Sequence, residues 1–232
     1  MEYIEFLKSK IDIAPKTGIE ISEEDVNPIL KPHQRDAVIW AVRGGRRALF
    51  ESFGLGKTVQ ALEWCNIITR KEGGQALIVL PLGVKQEFKR DAVELLGLEE
   101  PQYVRNMNEV QAATSRIVLT NYERVRDGNK APTYFKAVSL DEAAVLRSFG
   151  SKTYQTFLQK FKGIPYKLVN TATPSPNKYK ELIHYGGFLE VMDTGQALTR
   201  FFKRDSTKAN HLTLYPERED EFWVWLSSWA LF

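Results

Sequence analysis

The run from Ala76 to Leu80, Ala-Leu-Ile-Val-Leu, is apolar at every position. A strand with one wet face alternates apolar and polar side chains, whereas a continuous apolar run fits a strand covered on both faces. An amphipathic helix is predicted on each side of it. One runs from Lys57 to about Lys71 and stops at Gly73-Gly74; the other runs from about Val84 to Leu96. Earlier in the chain, Pro32 in a first helical turn and Gly44-Gly45 at a cap bound another helix, and the short apolar strand Arg46–Ser52 follows. Later come strands at Arg116–Thr120, Phe135–Glu142 and Tyr166–Thr173, with a helix around Lys152–Phe161. Strands alternating with helices predict an α/β fold, a parallel sheet with helices on both faces. The last fifty or so residues read as a helical, aromatic-rich extension holding Trp223, Trp225 and Trp229.

Composition narrows the chemistry. The chain has 232 residues, 43% hydrophobic and 26% charged, which is the balance of a globular protein. With one cysteine, Cys65, and three scattered histidines, neither an internal disulfide nor a zinc site is expected. Cys65 falls in the apolar pattern Ala61, Leu62, Cys65, Ile68 and is read as a buried structural thiol. The N-terminal Met-Glu-Tyr-Ile-Glu-Phe lacks signal-peptide architecture, and no apolar run is long enough to span a bilayer. A cytoplasmic protein is expected. The net charge of +3 comes from dispersed basic residues and says little about an anionic partner. "RGGRR", Arg43 to Arg47, is read as a helix cap and the start of a strand. Phe222, Trp225, Leu226 and Trp229 recur at helical spacing as a packing face.

Two motifs carry chemistry. Phe50–Thr58, "FESFGLGKT", joins a strand to a helix through Gly54-x-Gly56-Lys57-Thr58. Such glycines let backbone N–H groups turn inward around phosphates, and the helix N-terminus adds its positive dipole end. Lys57 is placed to reach β- and γ-phosphates and the Thr58 hydroxyl to ligate Mg²⁺. The first glycine of the full pattern is replaced by Glu51. "AVSLDEAA" supplies an apolar strand ending in Asp141-Glu142, a metal-holding carboxylate followed by one that orients or deprotonates the attacking water. Together they point to a site for ATP or GTP with Mg²⁺. A switch that binds nucleotide without turnover and a small-molecule kinase are the alternatives these residues leave open.

From about Leu30 to Leu189, further segments resemble the first RecA-like lobe of superfamily 2 helicases, within them the Swi/Snf-like translocases of phage and prophage type. That superfamily drops the first loop glycine. "LKPHQRDAVIW" resembles its Q-motif, which implies that Gln34 reads adenine. "VLPLGVKQEFKR" resembles motif Ia, with Pro81 ending the strand and Phe88 in the usual tryptophan position. "LTNYER" resembles motif Ib, with Asn121 and Tyr122. The resemblance implies that Pro81, Asn121 and Tyr122 lie on the nucleic-acid path. "LDEAAVLRS" resembles motif II with Ala144 where histidine or serine often stands, and "NTATPSPN" implies that Thr171 and Thr173 couple hydrolysis to movement. The implied organisation is an N-terminal extension over 1–30, a RecA-like ATP-binding lobe over 31–190 and a helical extension over 191–232. The implied activity is nucleic-acid-dependent ATP hydrolysis, DNA favoured over RNA. A second RecA-like lobe, in cis or in trans, is expected to supply the arginine finger that no segment after Asn177 resembles.

Overall fold

The computed structural model describes residues 13–128, 132–148, 150–176, 178–204 and 212–232. The N-terminal Met-Glu-Tyr-Ile-Glu-Phe lies outside them. Its centre is a seven-stranded sheet in the order β3-β4-β2-β5-β6-β1-β9, every neighbouring pair parallel. The strands are β1 (Arg46–Leu49), β2 (Ala76–Leu80), β3 (Gln102–Tyr103), β4 (Ile117–Asn121), β5 (Ala137–Leu140), β6 (Tyr166–Asn170) and β9 (Ala230–Leu231). A separate two-stranded antiparallel ribbon pairs β7 (Phe202–Arg204) with β8 (Leu212–Leu214).

The apolar run at β2 is explained by two cores. Ala76, Ile78 and Leu80 point into one, packed by α1 (Pro32–Gly44), α2 (Lys57–Glu72) and α3 (Lys85–Glu94). Leu77 and Val79 point into the other. That second core takes Tyr122 and Val125 from α5 (Tyr122–Asp127), which follows the short α4 (Met107–Ala112), and Tyr154 and Phe157 from α6 (Lys152–Lys160). Further residues come from α7 (Leu182–Phe188), α8 (Thr194–Phe201) and α9 (Glu219–Ser227). Alternate residues of a strand face opposite sides of a sheet, so a strand covered on both faces, as β2 is, reads as a continuous apolar run.

Cys65 is fully buried, as its pattern predicts, and burial pushes its thiol pKa far above the ordinary range. Gly45 caps α1 at φ 78° before Arg46 opens β1, so "RGGRR" is the cap and strand start it was read as.

The end of the chain departs from the expected helical extension. Phe222, Trp225, Leu226 and Trp229 are buried as a packing face, but the same segment holds the β7–β8 ribbon and then the edge strand β9. The N–H groups of Ala48 and Phe50 donate to the carbonyls of Trp229 and Leu231 at 2.8 and 2.7 Å. The Phe50 ring meets those of Tyr185, Trp229 and Phe232 at centroid distances of 5.1, 6.2 and 5.3 Å. The tail thus braces the strand that delivers the glycine loop. The N-terminal segment is tied in as well: Gly18 passes so close to the end of α1 that a Cβ there would sit 1.8 Å from the Val42 carbonyl oxygen. Among the described residues no helix is long and apolar enough to cross a membrane.

Candidate nucleotide site

β1, β2 and β5 end along one edge of the sheet, and the loops that follow them enclose a cavity of about 460 Å³. Gly54 and Gly56 sit at φ 82° and 85°, in the left-handed region that side chains disfavour, and turn the chain from β1 into α2. Gly56 is fixed by space too, because a Cβ would lie 2.2 Å from the Gln34 side-chain nitrogen. Lys57 is buried and donates from Nζ to the main-chain carbonyls of Glu51 and Ser52 at 2.8 and 2.9 Å. Glu51, in place of the first glycine, turns its carboxylate inward to accept from the Gln60 amide at 2.7 Å. Burial raises its pKa, while the Gln60 hydrogen bond and the Lys57 charge work the other way.

On the opposite wall, Asp141 and Glu142 follow β5. Asp141 is 6% exposed, and burial together with the neighbouring Glu142 pushes its pKa up to about 7 against the pull of Lys57. Its carboxylate accepts no side-chain hydrogen bond among the described residues. Glu142 takes left-handed backbone angles, φ 48° and ψ 50°. Lys57, Thr58, Asp141 and Glu142, named from sequence, therefore line one cavity with Gly54 and Gly56.

Sequence reasoning missed the contribution of α3. Glu87 and Asp91 also line the cavity, and the Thr58 hydroxyl donates to Glu87 at 3.4 Å. Their i, i+4 spacing on a helix opening beside β2 was the available signal.

Gln34 is buried beside the loop. Its Oε1 accepts from the Lys31 N–H at 3.0 Å, and its Nε2 donates to the Leu55 carbonyl at 2.9 Å. Together these two bonds leave one amide hydrogen and one oxygen lone pair over. Thr171 is buried, donates its N–H to the Leu49 carbonyl at 3.2 Å and accepts at its hydroxyl from the Thr173 N–H at 3.2 Å. Arg147, at the end of the segment that follows Glu142, donates from Nη1 to the Thr173 carbonyl at 3.4 Å.

The expected nucleic-acid contacts divide. Pro81 ends β2 at the partly exposed rim. Asn121 and Tyr122, which the resemblance put on the nucleic-acid path, are 8% and 7% exposed with their side chains turned inward. The Tyr103 hydroxyl donates to the Asn121 side-chain oxygen at 2.9 Å, the Asn121 amide donates to Glu123, and the Tyr122 hydroxyl donates to the Asp141 carbonyl.

A family model described as the SNF2-related domain matches residues 33–212. The chain belongs to that family. This places it in a family of nucleic-acid-dependent ATPases. The SWI2/SNF2 ATPase core of Sulfolobus solfataricus, solved in complex with dsDNA, superposes with a TM-score of 0.72 at 17% identity, covering 92% of this chain and 46% of that one. The same organism's SWI2/SNF2 ATPase core domain gives a TM-score of 0.69 at 18% identity, over 92% of this chain and 45% of that one. The UvsW helicase of bacteriophage T4 gives 0.58 at 16% identity, over 79% and 64%. The chain thus spans less than two thirds of each of these structures. No curated protein matches the sequence. The likeness establishes the RecA-like fold, with this chain corresponding to one lobe's worth of sheet.

Proposed function

We propose that this chain is the ATP-binding lobe of a DNA-dependent ATPase that couples hydrolysis of ATP, with Mg²⁺, to movement on duplex DNA. The observation that carries the reading is the meeting of Lys57 and Asp141 across one cavity at the carboxyl ends of β1 and β5. Strand ends of this kind are where open α/β sheets bind their ligands. An arriving phosphate replaces the carbonyls of Glu51 and Ser52 as the partner of Lys57. The N–H groups at the start of α2 take phosphate oxygens. The Thr58 hydroxyl and the Asp141 carboxylate would hold a Mg²⁺, which when bound would supply charge neutralisation for the phosphates. Asp141 is suited to this, since a buried carboxylate with no cationic partner bonded to it gains a cation in place of lost water. Glu142, one residue on, orients the attacking water. Gln34 has donor and acceptor capacity left to meet adenine, and the bond between Thr171 and Thr173 joins the site to the segment after β6.

The charge that develops on the transferred phosphoryl group needs an arginine, and a second RecA-like lobe in cis or in trans supplies it. The dsDNA in the archaeal neighbour supports duplex DNA as the partner.

Lys57→Ala tests the reading. Losing one charge-assisted phosphate contact costs about 1.5–3 kcal/mol, roughly ten- to a hundredfold in affinity. Calorimetric titration with Mg-ATP should show that drop while the thermal melt still shows a folded protein. Equal affinity in variant and parent would remove the assignment.

A further inference from the structure

Tyr122 opens α5 directly after β4, with its ring buried and stacked on Phe157 at a centroid distance of 5.5 Å. Its hydroxyl donates to the main-chain carbonyl of Asp141 at 2.7 Å. The N–H of the same residue donates to the Val79 carbonyl at 2.8 Å. Asp141 is therefore gripped from both sides, by β2 through its N–H and by the end of β4 through its carbonyl. The next residue, Glu142, holds φ 48° and ψ 50° without being a glycine. Backbone in that region persists for a long side chain only where the surroundings over-determine it. The two bonds to Asp141 provide that determination, together with the bond from the Glu142 N–H to the Asp141 carboxylate.

A second tyrosine lies close by. Tyr185 is fully buried, and its hydroxyl has no hydrogen-bond partner among the described residues, although it sits within electrostatic reach of Tyr122, Glu142 and Arg147. It makes no tie to the turn, so among the described residues the Tyr122 hydroxyl is the side-chain anchor that reaches the turn from outside it.

We propose that Tyr122 is a positioning residue for hydrolysis: its hydroxyl fixes the Asp141 carbonyl and, through it, the left-handed turn that aims Glu142 into the nucleotide cavity. The proposal rests on the ATPase reading above. It also gives the tyrosine of this segment a task inside the lobe. Displacement of the end of β4 moves the Asp141 carbonyl with it.

Tyr122→Phe removes the hydroxyl and keeps the ring on Phe157. Mg-ATP affinity, read by calorimetry, should stay within about twofold, because Lys57 and the loop are untouched. Phosphate release in a single turnover with protein in excess should fall about tenfold or more, since small misplacements of a reacting group cost up to about a hundredfold. Unchanged release would overturn the proposal. So would a parallel loss of binding, which marks a merely structural residue. A double-variant cycle in thermal unfolding needs no turnover. Glu142→Gly should stabilise the parent by relieving the turn, and should gain less in the Tyr122→Phe background, where the turn is free to relax. Additive effects would show that the hydroxyl does not hold the turn, and would end the proposal even where the parent releases no phosphate. A parent that binds no Mg-ATP defeats the ATPase reading instead, and the coupling in that cycle separates the two failures.

Discussion

Glu142 and Glu190 hold the same left-handed backbone at opposite ends of the sheet, with φ of 48° and 55°, and among the described residues they are the non-glycine positions with positive φ. Glu190 is surrounded. Its carboxylate accepts from the Lys167 ammonium at 2.9 Å, from the Gly163 N–H at 3.2 Å and pairs with Arg46 at 3.0 Å. Lys167, buried near the amino end of β6, also donates to the Phe188 carbonyl at 2.8 Å. Glu142 is held through Asp141, by that residue's backbone ties and by its own N–H on the Asp141 carboxylate, and its own carboxylate accepts no hydrogen bond from the described residues. Buried charges that satisfy one another fix a shape. A carboxylate beside the desolvated Asp141, facing a cavity and bonded to nothing, is left available for a ligand. The same strain thus serves architecture at the amino end and chemistry at the carboxyl end.

The amino end should break most easily. Glu190→Ala leaves Lys167 buried with the Phe188 carbonyl as its remaining acceptor and Arg46 without its carboxylate. Removing one partner of a buried pair is strongly destabilising, and with Glu190 partly exposed the expected loss is about 3 kcal/mol. Urea unfolding measures it. A loss below about 1 kcal/mol would mean that the amino-end network fixes nothing, and the contrast would fail.

This contrast was only half legible in the sequence. The carboxyl end announced itself, because Gly54-x-Gly56-Lys57-Thr58 and Asp141-Glu142 each follow an apolar strand, and parallel strands bring their ends together. The amino end gave no such sign. Lys167 looks like a stray polar residue in Tyr-Lys-Leu-Val-Asn, and Glu190 lies far along the chain, so their pairing needs the fold. Tyr122 was placed on the nucleic-acid path by resemblance alone, and a tyrosine suits either a surface or a core with an acceptor in reach. Its bond to the Asp141 carbonyl needs the fold. β9 escaped notice because Ala230–Leu231 is too short to show a period, and its partner β1 comes near the start of the chain. Organisation 1–30, 31–190 and 191–232 stays a proposal, since the described parts of both outer segments contribute to the cores of the central one.

A pH series sharpens the comparison at somewhat smaller amplitude. Burial pushes the Lys167 ammonium from 10.5 down to about 8, against the hydrogen bond and charge of Glu190. Burial opposes the charge of Glu190 too, but the Lys167 hydrogen bond, the Lys167 charge and Arg46 hold its pKa below the ordinary value. Below about pH 8, Lys167 is charged in both folded and unfolded chains, and the cost of burying it is present in full. Between about 8 and 10.5 the unfolded chain binds a proton that the folded one does not, so stability rises with pH. Relative to Lys167→Met, the parent should gain about 2 kcal/mol on going from pH 7 to pH 10. Parallel pH profiles for the two proteins would show that Lys167 is not desolvated as its burial implies.

The smallest effect is the most discriminating, because one substitution should act with opposite sign at the two ends. Holding a side chain in the left-handed region costs about 1–2 kcal/mol, and glycine escapes that cost while losing about 0.5–1 kcal/mol of chain entropy on folding. At Glu142 nothing else is forfeited, since its carboxylate has no bonded partner. Glu142→Gly should therefore stabilise the lobe by roughly 0.5–1 kcal/mol in urea unfolding without nucleotide. At Glu190 the same relief is outweighed by the loss of the ties to Lys167, Arg46 and Gly163, and Glu190→Gly should destabilise. If both substitutions stabilise, the Glu190 network contributes less than the strain it opposes. If both destabilise, Glu142 has a partner in the folded state that binds its carboxylate, and that carboxylate is not free to orient water.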